Sequence, residues 1–75
     1  MRKLAECRYP NVEAERARRG LTVEQAAKEL GISDYKYYSF QTGQRPMTVD
    51  ILKRMCTFYG VSMEYLLEEA EDYAD

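Results

Sequence analysis

Apolar residues recur along the chain at intervals of three and four, with charged and polar residues between them. This spacing puts the apolar side chains on one side of an α-helix, so it predicts helices that each bury one face. No segment of alternating β-branched residues predicts a strand. The predicted core consists of Ala27, Leu30, Tyr37, Phe40, Ile51, Leu52, Met55, Tyr59, Leu66 and Leu67, joined in the turns by Leu21, Ile32 and Val61.

Four glycines divide this pattern, and a Ser or Thr follows each of them within a few residues. Glycine is favoured just after a helix ends, while Ser and Thr accept hydrogen bonds from the first free amides of the next helix. Thr22 and Gln25 also have the spacing of a capping box. These signals predict five helices, over residues 11–19, 22–30, 33–41, 48–59 and 62 to about 73.

The length and composition limit the chemistry that this chain can support. Its 75 residues form one domain, which is too small for an elaborate buried active site. There is no histidine, and Cys7 and Cys56 lack the spacing of a metal site, although a disulfide between them stays open. No stretch has the roughly 20 apolar residues of a membrane span, and no signal sequence is evident. We therefore expect a cytoplasmic binding module, with no enzymatic activity, cofactor, metal or small-molecule substrate.

The formal net charge of −2 hides an uneven distribution of charge along the chain. Five of the 13 acidic residues lie after Leu67, whereas all 11 basic residues precede it. A mildly basic domain is therefore followed by an acidic tail. A basic surface suits phosphate binding, which supplies much of the affinity for nucleic acids.

The segment TVEQAAKELGISDYKYYSFQTG, residues 22–43, resembles the helix-turn-helix of the Cro/repressor-type family. The likeness extends to ERARRGLT before it and to GVSMEYLLE after it, and covers residues 11–67. It implies an all-α, compact five-helix, lambda-repressor-like DNA-binding domain, in which Gly31 makes the turn and the third helix enters the major groove. Residues 1–10 are then an N-terminal arm, and residues 68–75 an acidic tail that continues the last helix.

The third helix and the loop after it contain the expected DNA contacts. At 100° per residue, Asp34, Tyr35, Tyr38 and Ser39 fall on one arc, which we expect to be exposed. The resemblance points to Asp34, Tyr35 and Ser39 for base edges, and Lys36 suits a phosphate. Arg16 matches a family arginine, and is expected to bond to Gln41. The predicted DNA-binding residues are Asp34, Tyr35, Lys36, Tyr38, Ser39, Thr42, Gln44 and Arg45.

Two functions remain open at this stage. The first is a sequence-specific transcriptional regulator that binds double-stranded DNA as a homodimer. The second is an antitoxin-like or anti-regulatory protein-interaction module that kept the fold but binds DNA weakly, which the acidic tail and the absence of arginine from the third helix favour. A third idea is that Arg2, Lys3 and Arg8 form a basic arm that reaches DNA, although a frayed terminus is the favoured explanation of these residues.

Overall fold

The computed structural model describes residues 7–70, and within this range every regular element is an α-helix. The five helices are α1 (Pro10–Arg18), α2 (Val23–Leu30), α3 (Asp34–Thr42), α4 (Val49–Tyr59) and α5 (Met63–Leu66). Helix α1 packs against α3 and α5, while α2 packs against α3 and α4, and α4 also packs against α5. The predicted all-α, five-helix fold is confirmed.

The predicted starts of α2, α3, α4 and α5 are confirmed by their capping contacts, whereas α1 begins at Pro10, one residue early, without a side-chain cap. The Thr22 hydroxyl accepts from the Gln25 amide at 3.0 Å, and the Gln25 side chain accepts from the Thr22 amide at 2.8 Å, which completes the capping box. Ser33, Thr48 and Ser62 each cap the following helix through a hydroxyl in the same way. Each cap satisfies an amide that has no partner within its own helix, so these capping residues define where the four helices begin.

The turn between α2 and α3 depends on a left-handed residue. Gly31 has φ +74°, which a residue with a Cβ rarely adopts. The Leu30 carbonyl beside it accepts from Nη1 of Arg54 at 2.9 Å, so α4 supplies a partner for the end of α2. This contact fixes the turn from which α3 departs.

All but one of the helical residues predicted to lie in the hydrophobic core are buried. Leu67 is the exception, with 38% of its surface exposed. Val12 and Ala26 are buried as well, although neither was predicted. Leu21, Ile32 and Val61 pack against the core from the turns, as expected, and Cys56 is half-buried at its edge.

The prediction that the last helix continues into the acidic tail is wrong for residues 67–70. Helix α5 ends at Leu66, and the chain turns back along the start of α1. The Asn11 side chain donates to the carbonyl of Tyr65 at 2.9 Å and to the carboxylate of Glu68 at 3.1 Å, and the Ala70 amide donates to the Arg8 carbonyl at 3.0 Å. These bonds replace helical ones. The rest of the predicted tail, 71–75, lies outside the described residues.

Candidate nucleic-acid interface

Four of the predicted contact residues lie exposed on α3. Asp34, Tyr35, Lys36 and Tyr38 face solvent, and the two tyrosines are 63% and 47% exposed. Tyr37 and Phe40 lie on the opposite side of the helix, in the core. Two exposed tyrosines on one face of a helix offer apolar ring and hydroxyl contacts to a partner, so this face is a candidate binding surface.

The loop between α3 and α4 extends the exposed face. Gln44 and Arg45 are exposed, as predicted, and the guanidinium carbon of Arg45 lies 5.8 Å from the centroid of the Tyr35 ring. Lys36 and Arg45 line one cleft together with Thr48, the residue that caps α4, and with Asp50, whose carboxylate is paired with Arg54 at 3.2 Å. Two cations and a helix N-terminus on one rim favour an anionic ligand.

Asp34 lies at the first position of α3, where its carboxylate accepts from the Tyr35 amide at 2.9 Å. A negative side chain is favourable there because it faces the positive end of the helix dipole. This stabilising contact also fixes the acid at the edge of the exposed face. Asp34 therefore limits which groups can approach the first turn of α3.

Ser39 is buried, and the prediction that it belongs to the exposed arc is wrong. The loop closes the end of α3, where the amides of Gly43 and Arg45 both donate to the Ser39 carbonyl, at 3.1 and 3.2 Å. Only 1% of the Ser39 surface remains exposed, and its hydroxyl has no hydrogen-bond partner. A covered hydroxyl presents nothing to a base edge.

Thr42 is buried as well. Its hydroxyl donates back into the helix, to the carbonyl of Tyr38 at 3.0 Å and that of Ser39 at 3.3 Å. The hydroxyl therefore helps to close the end of α3, and it does not point towards an external ligand. Of the eight predicted contact residues, the structure brings six to the surface around α3 and buries Ser39 and Thr42.

The expected bond between Arg16 and Gln41 is absent. Arg16 instead binds the carboxylate of Glu13, one turn earlier on α1, and donates to the Leu21 carbonyl. The Glu13 carboxylate raises the pKa of Arg16. The side-chain oxygen of Gln41 is buried without a partner. A charged partner on the same helix forms a stronger bond than a neutral amide on another, which explains the outcome.

A buried carboxylate on α1 was not predicted. Glu15 is 2% exposed, and it accepts from the Tyr65 hydroxyl at 2.7 Å and from Nη1 of Arg19 at 2.5 Å. These hydrogen bonds lower the pKa of Glu15, and the same contact raises the pKa of Tyr65. Arg19 also donates to the Tyr59 carbonyl at 2.6 Å. This cluster links α1 and the residue after it to α4 and α5.

The two cysteines are free thiols, and burial raises the pKa of each. A raised pKa leaves less of the reactive thiolate at neutral pH. Within residues 7–70 no group of side chains is arranged to hold a metal ion, and none of the helices there has the length and apolar character needed to cross a membrane.

The comparison with known families identifies the arrangement of α2, the Gly31 turn and α3. A family model described as a helix-turn-helix domain matches residues 12–70. The chain belongs to the helix-turn-helix domain family. This match agrees with the Cro/repressor-type resemblance, and helix-turn-helix domains are DNA-binding modules that place their second helix in the major groove. No curated protein and no solved structure matches the chain.

Proposed function

We propose that this helix-turn-helix protein is a sequence-specific transcriptional regulator of the Cro/repressor type, with α3 inserted in the major groove of duplex DNA. The observation that carries the proposal is the joint exposure of Tyr35 and Tyr38 on α3 beside Arg45 of the following loop. Aromatic rings can contact thymine methyl groups, and phenol hydroxyls can bond to base edges or phosphates. The free thiols suit a cytoplasmic protein.

The exposed residues divide into two roles. Asp34 and Tyr35 lie at the start of α3, the part of a recognition helix that reaches base edges, and Asp34 would accept from a cytosine amine. Lys36, Gln44 and Arg45 would bind the phosphate backbone, which fixes the register of the protein without reading sequence. Tyr38 lies one turn after Asp34 and would contact either a base or a phosphate.

We also propose that the protein binds DNA as a homodimer. A single domain of this size makes few base contacts, so two copies on half-sites about 34 Å apart would give useful specificity. Large apolar side chains outside α3 support a protein contact, since Val49, Met63 and Leu67 are 68%, 40% and 38% exposed. Sedimentation of the protein with and without a selected duplex measures the stoichiometry, and one copy per duplex would refute the dimer.

The test of DNA recognition is selection from a random duplex library, followed by titration of the best site at several salt concentrations. We expect an enriched motif and an affinity that falls steeply with salt, because phosphate contacts release counterions. Tyr35→Ala should relax the base preference, whereas Arg45→Ala should weaken binding to all sequences alike. Lys53→Ala removes a cation from the separate cleft between α2 and α4, and serves as the charge control.

The second candidate function is a protein-interaction module that retains the fold and binds DNA weakly. The exposed face of α3 favours this alternative, because it presents an acid and no arginine or glutamine to the groove. The exposed apolar residues are equally suited to a different partner protein. A library without enrichment, with feeble binding even at low salt, would support this function and refute the first.

A further inference from the structure

Arg8 lies beside the proposed DNA contacts, although it belongs to the other end of the chain. Arg8 and Tyr9 line a cleft together with Gly43, Gln44 and Pro46 of the loop after α3. The Tyr9 amide donates to the Gln41 carbonyl at 3.1 Å, which anchors the N-terminal segment to the last turn of α3. The backbone at Arg8 is therefore held close to the loop that contains Gln44.

The same arginine is bound by the acidic end of the chain. Nη2 of Arg8 donates to Oε2 of Glu69 at 3.0 Å, and the two side chains are 37% and 39% exposed. The backbone bond from Ala70 to Arg8 and the bonds from Asn11 to residues 65 and 68 hold the two segments together independently of this ion pair. The guanidinium can therefore leave Glu69 for another anionic partner without any change in the backbone.

We propose that Arg8 is a further phosphate contact of the DNA interface, and that Glu69 competes with the DNA phosphate for its guanidinium. The proposal rests on the proposed function, since it adds one backbone contact to the surface formed by α3 and its loop. Glu69 then acts as an internal substitute for phosphate that lowers the affinity for DNA. The uneven charge along the chain then has a function, because Glu69 of the acidic tail weakens DNA binding by occupying Arg8.

The energetics of the two partners allow this exchange. An ion pair between solvated side chains contributes little, because water screens both charges and fixing two flexible side chains costs entropy. A phosphate on DNA accepts a bidentate, charge-assisted bond from arginine, and its neutralisation releases condensed counterions. Glu69 therefore reduces the gain from the Arg8 contact without abolishing it.

The decisive variant is Glu69→Gln, measured on the selected duplex and on an unrelated duplex over a range of salt concentrations. Glu64→Gln is the matched control, because it removes the same charge from an exposed position on α5. Arg8→Gln is tested in the wild-type and Glu69→Gln backgrounds. Thermal melting checks that each variant is folded.

We expect Glu69→Gln to tighten binding about two- to fivefold on both duplexes, and to steepen the slope of log K against log salt by up to about 0.9 for each bound copy. Glu64→Gln should leave the slope unchanged, and Arg8→Gln should remove the gain from Glu69→Gln. The proposal would be overturned if Glu64→Gln and Glu69→Gln changed the DNA affinity equally, or if Glu69→Gln left the salt slope unchanged. Either result would leave DNA recognition intact. If the wild-type protein and all the variants fail to bind, both proposals are wrong.

Discussion

The guanidinium of Arg45 lies against the ring of Tyr35, with 5.8 Å between the guanidinium carbon and the ring centroid. This cation–π contact joins the loop before α4 to the exposed face of α3. Because both residues are proposed DNA contacts, the ring restricts where the Arg45 cation can lie before DNA arrives. An ordered cation loses less entropy on binding a phosphate than a free one does.

The contact predicts that the two residues act on DNA binding as a pair. Tyr35→Ala and Arg45→Ala should show a coupling free energy of about 0.5–1 kcal/mol in a double-mutant cycle of DNA affinity. Tyr35→Phe keeps the ring and should preserve the coupling, although it removes the hydroxyl. If the losses of binding free energy in the two single variants simply add in the double variant, Tyr35 does not position Arg45.

Ser39→Ala should stabilise the protein by about 1 kcal/mol, because it removes a buried hydroxyl that has no partner and replaces it with a better helix former. Urea unfolding measures the change. Ser33→Ala is the matched control and should destabilise by about 1 kcal/mol, since the Ser33 hydroxyl caps α3. The base preference should not change with Ser39→Ala. A relaxed preference would restore Ser39 as a base contact.

Ser39 also illustrates what the sequence could not reveal about the site. A helical projection assigns it to the same arc as Tyr35, but Ser39 is 1% exposed because exposure depends on how the rest of the chain packs round the helix. The core was predictable because its residues are apolar at helical spacing. Leu67 fails that rule because α5 ends at Leu66, so helical spacing no longer applies to it. Glu15 was missed because a buried charge leaves no periodic signal.

The hydroxyls of Tyr37 and Tyr59 are 2.7 Å apart in the core, so one of them donates a hydrogen bond to the other. Burial and this bond raise the pKa of Tyr37, and burial raises that of Tyr59. Tyr37→Phe should cost about 1–3 kcal/mol, because it leaves a buried hydroxyl without its partner. The double variant with Tyr59→Phe should cost less than the sum of the two single variants. Strict additivity in urea unfolding would exclude a net contribution from the bond.

Glu15 should make the stability of the protein depend on pH in the acid range. Its pKa is lower in the folded protein than the ordinary value of 4.5, because Tyr65 and Arg19 bond to the charged form. The unfolded chain therefore takes up a proton first as the pH falls. The stabilisation by Glu15 is complete at neutral pH, and it is lost as the pH falls below about 4.5 and through the folded pKa.

Glu15→Gln should consequently destabilise the protein at pH 7, and the gap in unfolding free energy from the wild-type protein should narrow as the pH is lowered towards 3. Glu29→Gln removes an exposed carboxylate from α2, and its gap should be small at every pH. Urea unfolding at a series of pH values gives both curves. A Glu15→Gln gap that stays constant between pH 7 and pH 3 would show that burial of the side chain matters and its charge does not. The gap is expected to narrow because the ionised carboxylate of Glu15 accepts from both Tyr65 and Arg19. Protonation turns one of its oxygens into a donor and so costs one of these bonds.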